Sequence, residues 1–229
     1  MLRPYASVLR PLARRLSGGV NSFPKTAANY AELTPLAYIE RAAAVYDDAV
    51  AIIDGDVTRT WAETFARSCA LGDALRRLGV GRGDVVQCLL DNGSEMVEAQ
   101  QGIPMCRAVL GSVNTRLDVE TVRYIFDHSE AKVVIADARY AATAAAAVAG
   151  LSEPPLLVIA RGSASHACGY EALVASGDGG GGFLAPKDEW DAWAVNYTSG
   201  TTGRPKGVVV HHRGAYLAGP ERGDFNSSF

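Results

Sequence analysis

Four short apolar runs, spaced about 25 residues apart, constrain this chain most: "DVVQCLLD" (Asp84 to Asp91), "AVLGSVN" (Ala108 to Asn114), "AKVVIAD" (Ala131 to Asp137) and "PLLVIA" (Pro155 to Ala160). Each is too short for a buried helix and too continuously apolar for a strand with one wet face. Helical segments separate them: "EMVEAQQGIPMCR" after Ser94, "VETVRYIFDHS" after Asp118, and the alanine-rich Ala141 to Ala149. Strands and helices that alternate in this way predict an α/β fold, with a mostly parallel sheet covered by helices. Pro104 is expected to end or kink the first helix, and Ser94 to cap it.

Upstream, Leu36, Ile39, Ala43 and Tyr46 fall on one helical face. "AVAIID" and "VTRTW" flank Asp54-Gly55 as a hairpin. Thr60 and Glu63 form a capping box, and the helix they open is expected to stop at Gly79. Downstream, Arg161 to Glu189 is glycine-rich without a clear period and reads as a surface excursion. "DAWAVNYTS" (Asp191 to Ser199) and "GVVVHH" (Gly207 to His212) then read as two further strands.

Between those two strands lies "YTSGTTGRPKGV" (Tyr197 to Val208). A polyphosphate needs closely approaching backbone N–H groups, hydroxyl donors and a mobile positive charge. Thr198, Ser199, Gly200, Thr201, Thr202, Gly203 and Lys206 supply all three. The spacing is not that of a P-loop: two residues separate Gly200 from Gly203, Lys206 lies three further on, and Arg204-Pro205 makes a turn where a P-loop begins a helix. The other reading of such a stretch is a Gly/Thr-rich turn with an exposed lysine.

The full twelve residues resemble the core phosphate-binding motif of the AMP-forming adenylate enzymes, the family of acid–CoA ligases, beetle luciferases and peptide-synthetase adenylation domains. "TWAETFARSCALGDALRRLGVGRGDVV" and "DNGSEMVEAQQGIPMCRAVLGSVNTRLDVETVRYIFDHSEAKVVIAD" resemble earlier blocks of the same family. There the family usually carries an Ala-Gly pair, and this chain has Cys106-Arg107; Asn114-Thr115-Arg116 is kept. "NTRLD" and "VVVHHRGAYL" look most like the plant-type short- and medium-chain acid–CoA ligases. The resemblance runs from about Leu33 to Leu217.

It implies the first part of the large domain of the adenylate-forming fold, over residues 32–217. It also implies a two-step reaction, in which ATP and a carboxylic acid give an acyl-adenylate and CoA then displaces AMP. Thr198 to Lys206 are expected to grip the β- and γ-phosphates, with Lys206 meeting developing charge and Mg²⁺ sharing that work. His212, followed by Arg213-Gly214, matches a histidine at the end of the family's strand; it is either catalytic or a packing and capping residue, as is His211. Trp61 and Tyr197 read as core or hinge residues, and neither Glu189 nor Asp191 has an evident acid–base partner. The family's acyl pocket, Thr-Glu pair, ribose-binding acid, hinge and C-terminal-domain lysine have no counterpart in this sequence, and residues 218–229 diverge. This chain is therefore expected to be incompetent for turnover alone. Besides an acid–CoA ligase, two readings stand: a non-catalytic fragment binding nucleotide or a partner, and another adenylating enzyme such as a luciferase-like oxidase or a carrier-protein ligase.

Composition narrows the setting. Met1 to Ala31 holds five basic residues and no acidic one, the composition of a mitochondrial or plastid transit segment; a merely basic terminus of a cytoplasmic protein is the alternative. The whole chain has a formal net charge of −3 and no nucleic-acid footprint. No apolar run is long enough to span a membrane, and Ser227-Ser228-Phe229 is not a peroxisomal address of the Ser-Lys-Leu type. Cys69, Cys88, Cys106 and Cys168 have no zinc spacing, and no metal ligands are assigned.

Overall fold

The structure is a computed structural model that describes residues 25–26, 28–162, 168–179, 183–198 and 203–221. The chain divides into two compact units, Met1–Ala31 and Glu32–Phe229. In the first, most of which lies outside the described residues, Thr26 N–H donates to Asn29 Oδ1 (2.8 Å) in a short turn.

The second unit begins with α1 (Leu36–Val45), then β1 (Val50–Asp54) and β2 (Val57–Thr60), an antiparallel pair closed at Gly55. Of the face read from the sequence, Leu36 and Ile39 are buried, whereas Tyr46 is 59% exposed past the helix end. Helix α2 (Trp61–Arg77) opens on the capping box: Glu63 N–H donates to Thr60 Oγ1 (3.2 Å) and Thr60 N–H to Glu63 Oε2 (2.8 Å). It ends where Gly79 turns left-handed, φ 81°.

The main sheet follows. β3 (Val85–Leu89), α3 (Ser94–Met105), β4 (Val109–Ser112), α4 (Val119–His128), β5 (Ala131–Asp137), α5 (Ala141–Ala149) and β6 (Leu156–Ala160) alternate as expected, and β7 (Cys168–Gly169) and α6 (Tyr170–Ser176) follow. β8 (Ala192–Thr198), β9 (Lys206–His211) and α7 (His212–Glu221) complete it. The seven strands lie in the order β7-β6-β5-β3-β4-β8-β9, all neighbours parallel except β8 and β9. Residues of β5 alternate between two cores. Val133 and Ile135 pack with Leu71, Leu75, Ile103, Leu173 and Val174 of α2, α3 and α6. Val134 and Ala136 pack with Val122, Ile125, Phe126 and Ala147 of α4 and α5. Apolar cover on both faces is why consecutive positions of this strand, Val133 to Ala136, are all apolar.

Two expectations need correction. The stretch from Arg161 to Glu189 is not only a surface excursion, for it holds β7 and α6. Tyr170, Leu173 and Val174 of "YEALVAS" recur at i, i+3 and i+4 and bury their side chains, and flanking glycines masked this helix of about two turns. Ser94 does not cap α3 either. Gly93 holds the N-cap position, and the cap comes from the hairpin: Ser94 N–H donates to Asp54 Oδ2 (2.9 Å). Arg161 bridges Asp54 and Glu95 across the same helix end. Pro104 does end α3, one residue before its last.

One ionic cluster ties α2, α3, α6 and the hairpin together. Glu98, fully buried, accepts from Arg67 Nε (2.7 Å) and Nη2 (3.1 Å) and from the Tyr170 hydroxyl (2.9 Å). Arg59 Nη1 lies 3.1 Å from the same carboxylate. Burial pushes the Tyr170 phenol well up, and the Glu98 charge adds to it, so this hydroxyl stays a donor.

At the joint between α3 and β4, Arg107 adopts φ 66°. That left-handed conformation suits glycine better than arginine. Arg107 holds the turn with Nε donating to Ala185 O (2.8 Å).

Candidate nucleotide phosphate site

The phosphate motif is the loop of the β8–β9 hairpin. The two strands pair in register from Asn196 with Val208, through Tyr197 with Gly207, to Thr198 with Lys206. This places the Thr198 hydroxyl and the Lys206 ammonium opposite one another at the mouth, both exposed. Gly203 and Arg204 are exposed beside them. Ser199, Gly200, Thr201 and Thr202 lie outside the described residues. Among the described residues Lys206 has no ion-pair partner, so its charge is available to a ligand.

The loop joins strand to strand, as the Arg204-Pro205 turn implied, and so differs from a P-loop that feeds a helix N-terminus. Gly207 sits close under its neighbours: a Cβ there would stand 3.3 Å from Val195 Cγ2 and 3.4 Å from the Tyr197 ring, which lies across the hairpin. Thr198 and Gly203 to Lys206 bring hydroxyl, backbone and cationic groups and no carboxylate. That donor set fits a polyphosphate, whereas a bare Mg²⁺ needs anionic oxygens; a magnesium ion here would be held by the nucleotide's own phosphates.

The two candidate catalytic residues are not brought together. Lys206 starts β9 and His212 follows its end, about 20 Å away along an extended strand. His212 is 1% exposed, lies 6.1 Å from the Trp193 ring, and its Nδ1 is 2.8 Å from Thr34 Oγ1. Burial pushes its imidazole down to about 4, against a smaller upward pull from Asp191. It is therefore neutral at pH 7. His211 accepts from Gly214 N–H at Nδ1 (2.9 Å) and packs 4.4 Å from the Trp190 ring. Both histidines shape the entry into α7.

Asp191 and Glu189 are held by arginines in ion pairs, which are not acid–base partners. Arg82 grips Asp191 through Nε (2.9 Å) and Nη2 (2.5 Å), and this bonding holds the carboxyl below its usual range. Glu189 accepts from Arg213 Nη1 (2.7 Å) and from Leu33 N–H (3.1 Å). These are fastening pairs at the ends of β8 and α7. Sequence reasoning passed over Tyr124 and His128, one turn apart on α4. Arg204 places its guanidinium carbon 5.1 Å over the Tyr124 ring, and His128 Nδ1 lies 2.8 Å from the Tyr197 hydroxyl. Their i, i+4 spacing was the available signal.

Comparison with known proteins follows the same lines. Residues 39–219 match the family described as AMP-binding enzyme. The chain is 37% identical over 216 residues to the peroxisomal acetate/butyrate–CoA ligase AAE7 of Arabidopsis thaliana, and 36% identical over 216 residues to the acetate–CoA ligase CCL3 of Humulus lupulus. Each alignment covers 86% of this chain and 38% of the relative, so the chain spans well under half of the curated relatives it matches. In structure it superposes on an anthranilate CoA ligase, AuaEII, solved in complex with anthranoyl-AMP. The TM-score is 0.76 at 23% identity, over 83% of this chain and 37% of that one, which bears on the fold alone. The parallel sheet, the hairpin-borne phosphate motif and these matches together show that the chain belongs to the AMP-binding enzyme family and fits an N-terminal portion of it.

Proposed function

We propose that this chain supplies the polyphosphate grip of an ATP-dependent acid–CoA ligase. The observation that carries the reading is the pairing of Thr198 with Lys206 at the mouth of the hairpin. One exposed hydroxyl and one uncommitted ammonium flank a loop of glycines and hydroxyls, a donor set suited to the β- and γ-phosphates of ATP.

In the reaction proposed, a carboxylate oxygen bonds to the α-phosphorus, the bond from that phosphorus to the α,β-bridging oxygen breaks, and pyrophosphate leaves. The CoA thiol then gives up its proton, its sulfur bonds to the acyl carbon, and AMP leaves. Lys206 and the loop N–H groups act in the first step. Negative charge gathers on the departing pyrophosphate, and a fixed cation with oriented N–H donors meets it without reorganisation. His212 is assigned a packing role, because a neutral, buried imidazole bonded to Thr34 holds the start of α7 in place. Relatives that act on acetate, butyrate and trans-cinnamate favour a short- to medium-chain or aromatic acid. The basic, acid-free residues 1–31 support a targeting role for that segment. Fusing residues 1–31 to a fluorescent protein tests it; diffuse cytoplasmic signal would end that part of the reading.

The test of function is exchange of labelled pyrophosphate into ATP by the full chain, with acetate, butyrate, hexanoate and benzoate offered separately. Acid-dependent label in ATP, lost in Lys206→Ala, supports adenylate formation. Tight Mg²⁺-ATP binding without any exchange leaves the chain as a nucleotide binder and removes catalysis from the reading.

A further inference from the structure

Lys206 is useful to a polyphosphate only if its backbone is held still, yet it begins an edge strand with exposed residues around it. A line of side chains runs from this point across the surface of α4. Arg204 lies over Tyr124 at 5.1 Å. Tyr124 meets His128 at 5.3 Å between ring centroids. His128 meets Tyr197 edge-on at 5.7 Å, with 2.8 Å between Nδ1 and the phenol oxygen. The Tyr197 ring lies against Gly207, its cross-strand partner. Beneath them, fully buried Gln87 of β3 donates from Nε2 to Ser129 Oγ (3.0 Å), and Ser129 in turn donates to Phe126 O (3.3 Å), at the end of the same helix.

We propose that Tyr124, His128 and Tyr197 are positioning residues for the phosphate motif: they hold Arg204 and Gly207, on either side of Lys206, against α4. The proposal deepens the functional reading above and rests on it for its meaning. Its geometry is the mutual placement of three rings and one guanidinium. Each contact is modest; an exposed cation–π pair changes an equilibrium by a factor of about 2–5. Acting in series they fix the hairpin mouth before nucleotide arrives, so that less ordering remains to be done on binding.

Hydrogen–deuterium exchange of the full chain without nucleotide reads the anchor directly. In Tyr124→Leu and in Tyr197→Phe, amides from Gly203 to Gly207 should exchange about 3–10 times faster, while those of β3 and β5 stay unchanged. Tyr124→Phe keeps the ring under Arg204 and should restore the slow rate. Mg²⁺-ATP binding is the second arm. Each loosening variant should weaken it several-fold, and Arg204→Lys combined with Tyr124→Leu should cost no more than either alone. Should Tyr124→Leu fail to fold, Tyr197→Phe removes a single hydroxyl and carries the test. Unchanged exchange in folded Tyr197→Phe and Tyr124→Leu would overturn the proposal. Additive losses from Arg204 and Tyr124 would overturn it too, by showing that Arg204 acts on the ligand itself. If the unmodified chain binds no Mg²⁺-ATP, the functional reading fails, and the exchange arm still decides whether the anchor exists.

Discussion

The centre of the sheet and its β9 edge are written in almost the same letters and live in opposite surroundings. In "AKVVIAD", Val134 and Ile135 are fully buried, each under a different helical layer. In "KGVVVH", Val208 is 48% exposed and Val209 62%. An apolar run therefore declares a strand without declaring its cover; position in the sheet order decides that. The difference also divides labour. The centre is held by close packing and by one buried ionic cluster. On the reading proposed above, the hairpin bears the groups that face a ligand and is steadied by Tyr124 and His128 of α4.

Substitutions in the interior should act on stability and leave the hairpin chemistry alone. The largest effect is expected at Glu98. In Glu98→Ala the Arg67 and Arg59 charges and the Tyr170 hydroxyl lose their shared acceptor inside the protein, which costs about 3–5 kcal/mol. Urea unfolding checks this; a loss under about 1 kcal/mol would mean that the cluster does not organise the interior.

Next comes pH. The folded His212 imidazole sits at about 4, below the ~6.5 of an unfolded histidine. Between those values the unfolded chain binds the extra proton, so stability falls as pH falls. About 2 kcal/mol should be lost between pH 7 and pH 5. The carboxyls held low by arginines, such as Asp137 and Asp191, contribute only below that window. His212→Gln should flatten the slope in urea titrations at the two pH values; an unchanged slope would place the titration elsewhere. The smallest effect belongs to Arg107→Gly. It relieves a left-handed backbone and gives up one exposed hydrogen bond, a net gain of about 0.5–1 kcal/mol in the same assay.

How much of this could be read beforehand follows from the range of the interactions involved. The capping box at Thr60, the N-cap at Asp118, whose carboxylate takes Thr121 N–H at 2.9 Å, and the hairpin turn at Gly55 are settled within a few residues, and each was legible. The hairpin strands that carry the proposed phosphate motif were legible too, because β8 and β9 are contiguous apolar runs on either side of it. The cap of α3 was not, because Asp54 arrives from 40 residues away. Nor was α6, about two turns long between glycines, whose Tyr170 matters through a carboxylate 72 residues distant. The seat of Arg204 on Tyr124 likewise depends on α4 and β9 meeting in space. His212 was legible as a choice between two roles, and its bond to Thr34, 178 residues away, favours packing.

The most direct test of the central claim is thermal unfolding of the full chain and of Lys206→Ala, each with and without Mg²⁺-ATP. Nucleotide at about 100 times its Kd should stabilise the unmodified chain by about 2.7 kcal/mol, or roughly 5–10 °C at this size. Lys206→Ala should melt within about 1 °C of the unmodified protein when ATP is absent, since its side chain is exposed and without an ion pair among the described residues. It should lose most of the shift when ATP is present. Equal shifts in the two proteins, or no shift in either, would contradict the claim that this hairpin grips the polyphosphate.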